Sequence, residues 1–213
     1  MNPLITIAIP TYNRADRLEL MLKNVLGQIA PRDLGTKIEL FVSNNASTDA
    51  TVLVCEKHGV KCVTKAENAG FDGNILSCVN MAAGKYLWML ADDDALVPGG
   101  VDVVLNAIEE HKADLLLLRA SGIYEWDGAS PTDLGRCLRA CGFLSSCVFN
   151  TSMARRSIER IWGKLGGIGF IHWGVVMDMA NYTTPRVIDR TIILGNKNAI
   201  GHQVSFSVTI LGR

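Results

Sequence analysis

Over the first 120 residues, short aliphatic runs alternate with stretches in which apolar residues recur every third or fourth place. These are the periods of a buried strand and of a helix with one packed face. Leu4 to Ile9 predicts a first strand, ended by Pro10. Asn13 then stands where an N-cap would open a helix carrying Leu18, Leu22, Val25, Leu26 and Ile29 on one side. Lys37 to Ser43 predicts a second strand, and Ser47 or Thr48 the cap of a helix that Gly59 stops. Val60 to Thr64, Asp72 to Ala83 and Tyr86 to Leu90 follow as strand, helix and strand. Pro98 fits the first turn of a helix with Val101, Val104, Leu105 and Ile108 on one face, and Leu115 to Leu118 reads as a strand buried on both faces.

Strands alternating with helices imply right-handed crossovers and a mostly parallel sheet flanked by helices, an α/β, Rossmann-like class. Ligands of such sheets bind beyond the carboxyl ends of the strands. Three polar segments occupy that position: Pro10 to Arg14, Ser43 to Asp49, and Ala91 to Asp94. Past residue 120 the alternation weakens. Asp127 to Gly135 reads as a loop, Phe143 to Phe149 as a strand, Thr151 to Leu165 as a helix, and the remainder as short strands and turns. Residues 121–213 are therefore taken as a smaller C-terminal region of the same domain as 1–120. Gly212-Arg213 carries no terminal element, which is compatible with a longer natural protein.

Composition narrows the function classes. Hydrophobic residues make up 48%, enough for a sizeable core, and 21 basic residues balance 21 acidic ones. That balance argues against general nucleic-acid affinity. No apolar run is long enough for a membrane span. Six cysteines, at 55, 62, 78, 137, 141 and 147, form no Cys-x-x-Cys pair and read as buried thiols of a reducing cytoplasm. The stretch 154–165 places Arg155, Arg156, Arg160 and Lys164 around Ile158, Ile161 and Trp162. It reads either as a solvated basic face packed on the core or as a peripheral contact with an anionic membrane. Gly163 to Gly169 matches no phosphate-binding fingerprint and reads as a mobile loop.

The chemistry concentrates in Asp92, Asp93 and Asp94, which follow the apolar strand Tyr86 to Leu90. Three adjacent carboxylates repel one another unless a cation compensates, and carboxylate oxygens suit Mn²⁺ or Mg²⁺. Such an ion can neutralise a departing diphosphate. The plainer alternative is an acidic turn that caps the next helix. In the second segment Asn44 and Asn45 offer amides to a base or ribose while Ser47 or Thr48 holds the loop. Thr11, Tyr12, Asn13 and Arg14 bring an aromatic ring, an amide and a cation into four residues.

These segments resemble glycosyltransferase family 2, inverting enzymes of GT-A fold. The resemblance rests on Ile7 to Arg14, Asn44 to Thr51, Glu67-Asn68-Ala69-Gly70, and Ala83 to Asp94 with Pro98, over roughly residues 4–110. It implies a nucleotide-diphosphate-sugar donor and a glycan or lipid-linked acceptor, with Thr11 to Arg14, Asn44, Asn45 and Asn68 lining the donor pocket. It places Asp93, assisted by Asp94, on the metal and Asp92 beside the ribose or sugar. It makes 1–120 the donor region and 121–213 the acceptor side. Surface-polysaccharide synthesis at the inner face of a membrane is the expected setting. Ala91 and Asn44 stand where many members carry Asp. They leave open a non-catalytic sugar-nucleotide or glycan-binding module, whereas a nucleotidyltransferase would carry a Gly-rich basic loop after the first strand. The acceptor's general base falls on His172 or Asp178, with His172 favoured by register against the strand near Val187.

Overall fold

The computed structural model describes residues 2–29, 33, 36–121, 130 and 132–195. Among them the chain runs β1 (Ile5–Thr11), α1 (Ala15–Leu26), β2 (Ile38–Asn44), α2 (Thr51–Lys57), β3 (Lys61–Thr64), α3 (Gly70–Met81), β4 (Tyr86–Met89), β5 (Ala95–Leu96), α4 (Gly100–His111) and β6 (Leu115–Ser121). It continues with α5 (Leu134–Ala140), a 3-10 turn at Leu144–Ser146, β7 (Cys147–Asn150), α6 (Thr151–Leu165), α7 (Ile171–Ala180) and β8 (Arg186–Leu194). Residues 127–129 and 131 of the segment predicted as a loop over Asp127 to Gly135, and the chain end at Gly212-Arg213, lie outside the described residues, while Leu134 and Gly135 belong to α5.

One eight-stranded sheet, in the order β3-β2-β1-β4-β7-β6-β8-β5, carries the fold. Neighbouring strands from β3 to β4 are parallel, as are β6 and β8; β7 runs antiparallel between β4 and β6, and β5 pairs antiparallel with β8. The α/β reading therefore holds, with an antiparallel insertion in its second half. β1 and β4 are buried along their whole lengths, as expected for strands covered on both faces. Helix α1 turns Leu18, Met21, Leu22 and Val25 onto the sheet.

Several local expectations are corrected. Pro10 does not end β1, which pairs on with β2 through Pro10↔Ser43 and Thr11↔Asn44. By strand alternation its missing N–H falls on the β4 side, beyond the last β4 pair at Ala8↔Met89, so no ladder bond is lost. Asn13 is not the N-cap of α1; it adopts φ 53, and Arg14 precedes the helix. Neither Ser47 nor Thr48 caps α2. Asp49 serves both helices, accepting from the N–H of Ala15 at 2.9 Å and from the N–H of Thr51 at 3.0 Å. Pro98 lies ahead of α4, whose N-cap is Gly99 at φ 75. The end of the chain is not all short strands and turns, because α7 has ten residues and β8 nine. Cys137, Cys141 and Cys147 are buried free thiols.

Candidate active site

The three polar segments do meet at the carboxyl ends of β1, β2 and β4, where the parallel register brings Thr11 beside Asn44. The carboxylates of the triplet take different partners, except that Asp92 and Asp93 share Arg14. Asp92 is buried and accepts from the Thr11 hydroxyl at 2.6 Å and from the Arg14 guanidinium at 3.0 Å. Burial pushes its pKa up, and the Thr11 and Arg14 contacts oppose that shift. Asp93 accepts from Arg17 at 2.9 Å and from Arg14 at 3.4 Å. Burial works against the charge on Arg14, but Asp92 and Asp93 outweigh it and raise its pKa. Asp94 is buried and accepts from the hydroxyl of Ser145 at 2.6 Å.

Ser145 ties the two halves of the chain together. Its hydroxyl also accepts from the N–H of Ala91 at 2.9 Å, and its carbonyl accepts from the indole N–H of the fully buried Trp88 at 2.8 Å. Nothing in the sequence marks it, since its partners lie 51 to 57 residues away. Arg17 was legible only as the residue one helical turn beyond Arg14.

The asparagines differ from the expectation that they face a ligand. Asn44 is fully buried; its carbonyl accepts from the N–H of Ser47 and its amide donates to the Thr64 hydroxyl. Asn45 is buried too, donating to Asn68 at 2.7 Å and to the Gly70 carbonyl at 3.1 Å, and accepting from the N–H of Ala69. Asn68 in turn accepts from the N–H of Gly70. Both ends of each buried amide are spent on loop backbone or side chains, so these residues build the wall of the edge. Asn13 joins the same wall, accepting from the N–H of Thr48 and donating its own N–H to the Ser47 hydroxyl. Tyr12, 43% exposed, Asn13, and Arg14, with half its side chain exposed, are the members of the first segment that reach solvent.

His172 sits near the start of α7 and is 4% exposed. Its Nε2 lies 2.8 Å from the carbonyl of Gly142, three residues before Ser145. A carbonyl only accepts, so Nε2 carries the hydrogen and Nδ1 keeps its lone pair. Nδ1 is buried and has no hydrogen-bond partner among the described residues. Burial lowers the imidazole pKa, against the opposing pull of the Gly142 bond and Asp72. Phe71 packs edge-on with ring centroids 5.5 Å apart and is itself 45% exposed, so the imidazole lies one side chain from the surface.

Asp178 is placed differently. It forms a two-pronged ion pair with Arg160 of α6, which also donates to the Ser157 hydroxyl. Burial would raise its carboxyl pKa, but the bonds from Arg160 and Ser157 hold it below the usual range. A carboxylate so occupied is a clamp between α6 and α7 rather than a base. Asp178→Asn is expected to leave turnover within about twofold of wild type in a steady-state assay, as for other partly exposed pairs. A loss of a hundredfold would return it to the reacting centre.

The basic face of α6 is also partly spent. Arg155 donates to the carbonyls of Val79, Asn80 and Ala82 at the end of α3. With Arg160 on Asp178, this favours a packed face, and Arg156 and Lys164 are left as the exposed basic residues free of those clamps. No described helix is long and apolar enough to cross a membrane.

Gly163 to Gly169 is not a loose loop. Gly163 to Leu165 belong to α6, and the N–H groups of Gly167 and Gly169 donate to the buried Asp72 at 2.9 and 2.8 Å. Asp72 passed unnoticed in the sequence because an acid in a helix's first turn has an ordinary explanation.

Carboxylates at a sheet edge that hold their own arginines can accept a cation and a diphosphate together. Among the described residues no three His, Cys, Asp or Glu side chains converge as a metal cage. That donor set suits Mn²⁺ or Mg²⁺, which bind through one or two carboxylates with the remaining positions filled by phosphate and water.

The chain is 32% identical to the abequosyltransferase RfbV of Salmonella typhimurium over 120 residues, covering 54% of this chain and 35% of that protein. It is 26% identical over 123 residues to TarS of Staphylococcus aureus, a poly(ribitol-phosphate) beta-N-acetylglucosaminyltransferase, covering 55% of this chain and 21% of TarS. The chain thus spans about a third or less of these relatives' lengths. The crystal structure of TarS 1-349 superposes with a TM-score of 0.71 at 18% identity, over 90% of this chain and 60% of that one. The mannosyltransferase PcManGT of Pyrobaculum calidifontis, in complex with GDP-Man and Mn²⁺, gives 0.65 at 21% identity, over 92% and 57%. These likenesses establish the GT-A fold. Residues 6–136 match the family model described as Glycosyl transferase family 2, and the chain belongs to that family.

Proposed function

We propose that the chain transfers a sugar from a nucleotide-diphosphate-sugar to a hydroxyl of a glycan or lipid-linked acceptor in surface-polysaccharide synthesis, by a single inverting displacement. One observation carries this reading. Ser145 bonds Asp94 on the donor edge, while Gly142, three residues earlier, bonds His172, so a carboxylate edge and a candidate base share one short segment. Relatives named as an abequosyltransferase and as a poly(ribitol-phosphate) beta-N-acetylglucosaminyltransferase, and neighbours solved with UDP or GDP-Man and with Mn²⁺ or Mg²⁺, support the substrate class.

In this reading Asp93, with Asp94 beside it, would hold Mn²⁺ or Mg²⁺, whose Lewis acidity offsets charge on the leaving diphosphate. Arg14 and Arg17, now on Asp93, are positioned to turn toward the phosphates. Asp92, fixed by Thr11 and Arg14, accepts a ribose or sugar hydroxyl. Tyr12 offers its exposed ring to the base. The wall of Asn13, Asn44, Asn45 and Asn68 shapes the pocket. His172 takes the acceptor hydroxyl's proton on Nδ1 as the new glycosidic bond forms and the bond to the diphosphate breaks.

A thermal-shift panel of UDP-, GDP-, CDP- and dTDP-sugars, each with and without Mn²⁺, tests the reading. A Tm rise confined to one base and larger with Mn²⁺ is the expected result. The same flat response to every donor, with and without the ion, would remove the assignment.

A further inference from the structure

We propose that Asp72 is the positioning residue for His172: by gripping the glycine-rich segment before α7 it sets the direction of the imidazole. The functional half of this inference rests on His172 being the base; the structural half does not.

Asp72 belongs to the first turn of α3, yet it spends its carboxylate on backbone 95 to 99 residues downstream. One oxygen accepts from the N–H groups of Gly167 and Gly169, and the other from that of Ile171 at 3.1 Å. It is 3% exposed, so these three bonds replace its hydration. Gly167 and Gly169 take φ of 90 and 85, a backbone that side chains resist, and this is how two alternate N–H groups point at one oxygen. Ile171 opens α7 and is fully buried. Phe170, which precedes it, gives no side-chain cap, so the cap comes from another helix.

The next residue is His172. Its other restraints are the Gly142 carbonyl on Nε2, the edge of Phe71, the neighbour of Asp72, and the stacked ring of Phe170. Start, direction and tautomer of the imidazole are thus fixed between one carboxylate and one carbonyl. An asparagine at 72 would replace one acceptor oxygen by an N–H₂ group facing backbone donors, and at least one of the three bonds would be lost.

The test compares wild type, Asp72→Asn and Gly169→Ala, the second variant loosening the same segment without touching the carboxylate. Wild type should show a single Nε2–H tautomer for His172 by ¹⁵N NMR, with slow exchange of the Gly167, Gly169 and Ile171 amides. Both variants should lose that protection and the single-tautomer signature, while stabilisation by Mn²⁺ with UDP or GDP stays unchanged. Release of nucleoside diphosphate from UDP-GlcNAc or GDP-mannose should fall about tenfold or more in kcat, with donor KM unchanged. Asp72→Asn should then add nothing to the loss already caused by His172→Ala. An unaltered His172 tautomer in variants whose three amides have become exposed overturns the inference. So do losses that multiply in the double variant. Should His172→Ala alone keep full turnover, the base role fails, and the tautomer comparison still decides the positioning role.

Discussion

Asp93→Ala is expected to reduce metal-dependent turnover by about two to three orders of magnitude, the range seen when one charge-stabilising group is removed from a reacting centre. Of the three adjacent carboxylates, Asp92 is buried under Thr11 and Arg14, and Asp94 is buried against Ser145. Asp93 is the one whose partners, Arg14 and Arg17, have half-exposed side chains able to move away. Its neutralisation by two guanidinium groups is what a carboxylate needs when no cation is present, and exchange of those groups for Mn²⁺ costs little burial. The variant should therefore also lose Mn²⁺ binding measured by electron paramagnetic resonance, without a fall in core stability. Turnover within tenfold of wild type, at saturating Mn²⁺, would take the cation off Asp93.

The second large effect is at His172. Its replacement by alanine is expected to lower kcat by roughly 10²–10⁴, the usual contribution of a positioned general base, with nucleotide affinity unchanged. The pH behaviour follows from burial. Because burial holds the folded pKa below the ordinary 6.5, the imidazole is mostly neutral at pH 7 and takes up its proton with a midpoint on the acid side of 6.5. The wild-type rate should therefore fall with a midpoint on the acid side of pH 6.5. Stability follows the same sign. As pH drops below 6.5 the unfolded chain takes up a proton that the folded chain refuses, so stability is lost between 6.5 and the lowered folded value. A pH–rate limb centred at or above 6.5 would contradict a buried base, as would a His172→Ala variant with wild-type kcat.

Both effects depend on pairings with different legibility. The Asp92 to Asp94 run stands out in the chain alone, because adjacent carboxylates after an apolar strand have few inexpensive uses, whereas the choice of Asp93 within it comes from the family resemblance. Its arginines could be chosen only in part: Arg14 lies in a recognisable turn, whereas Arg17 is an ordinary helix residue until α1 packs beside the triplet. The resemblance offers His172 beside Asp178 as the base, and the tautomer of His172 comes from Gly142.

Local pattern determined what depends on neighbours in sequence. Strand runs, helical periods and the turns between them follow from side-chain periodicity and backbone sterics, which act over a few residues. They located the elements from β1 to α4 other than β5, and the sheet edge with its three polar segments. Tertiary structure decided everything that depends on which of several equivalent polar groups finds a partner. Asp49 rather than Ser47, Thr48 or Asn13 caps two helices, Asn44 and Asn45 turn inward, Ser145 bonds Asp94, and Asp72 holds a segment that composition alone describes as loose. Buried donors and acceptors must be paired, but many pairings satisfy that demand on paper. Only the packed sheet and helices bring residues 34 to 97 positions apart within 3 Å and so select one.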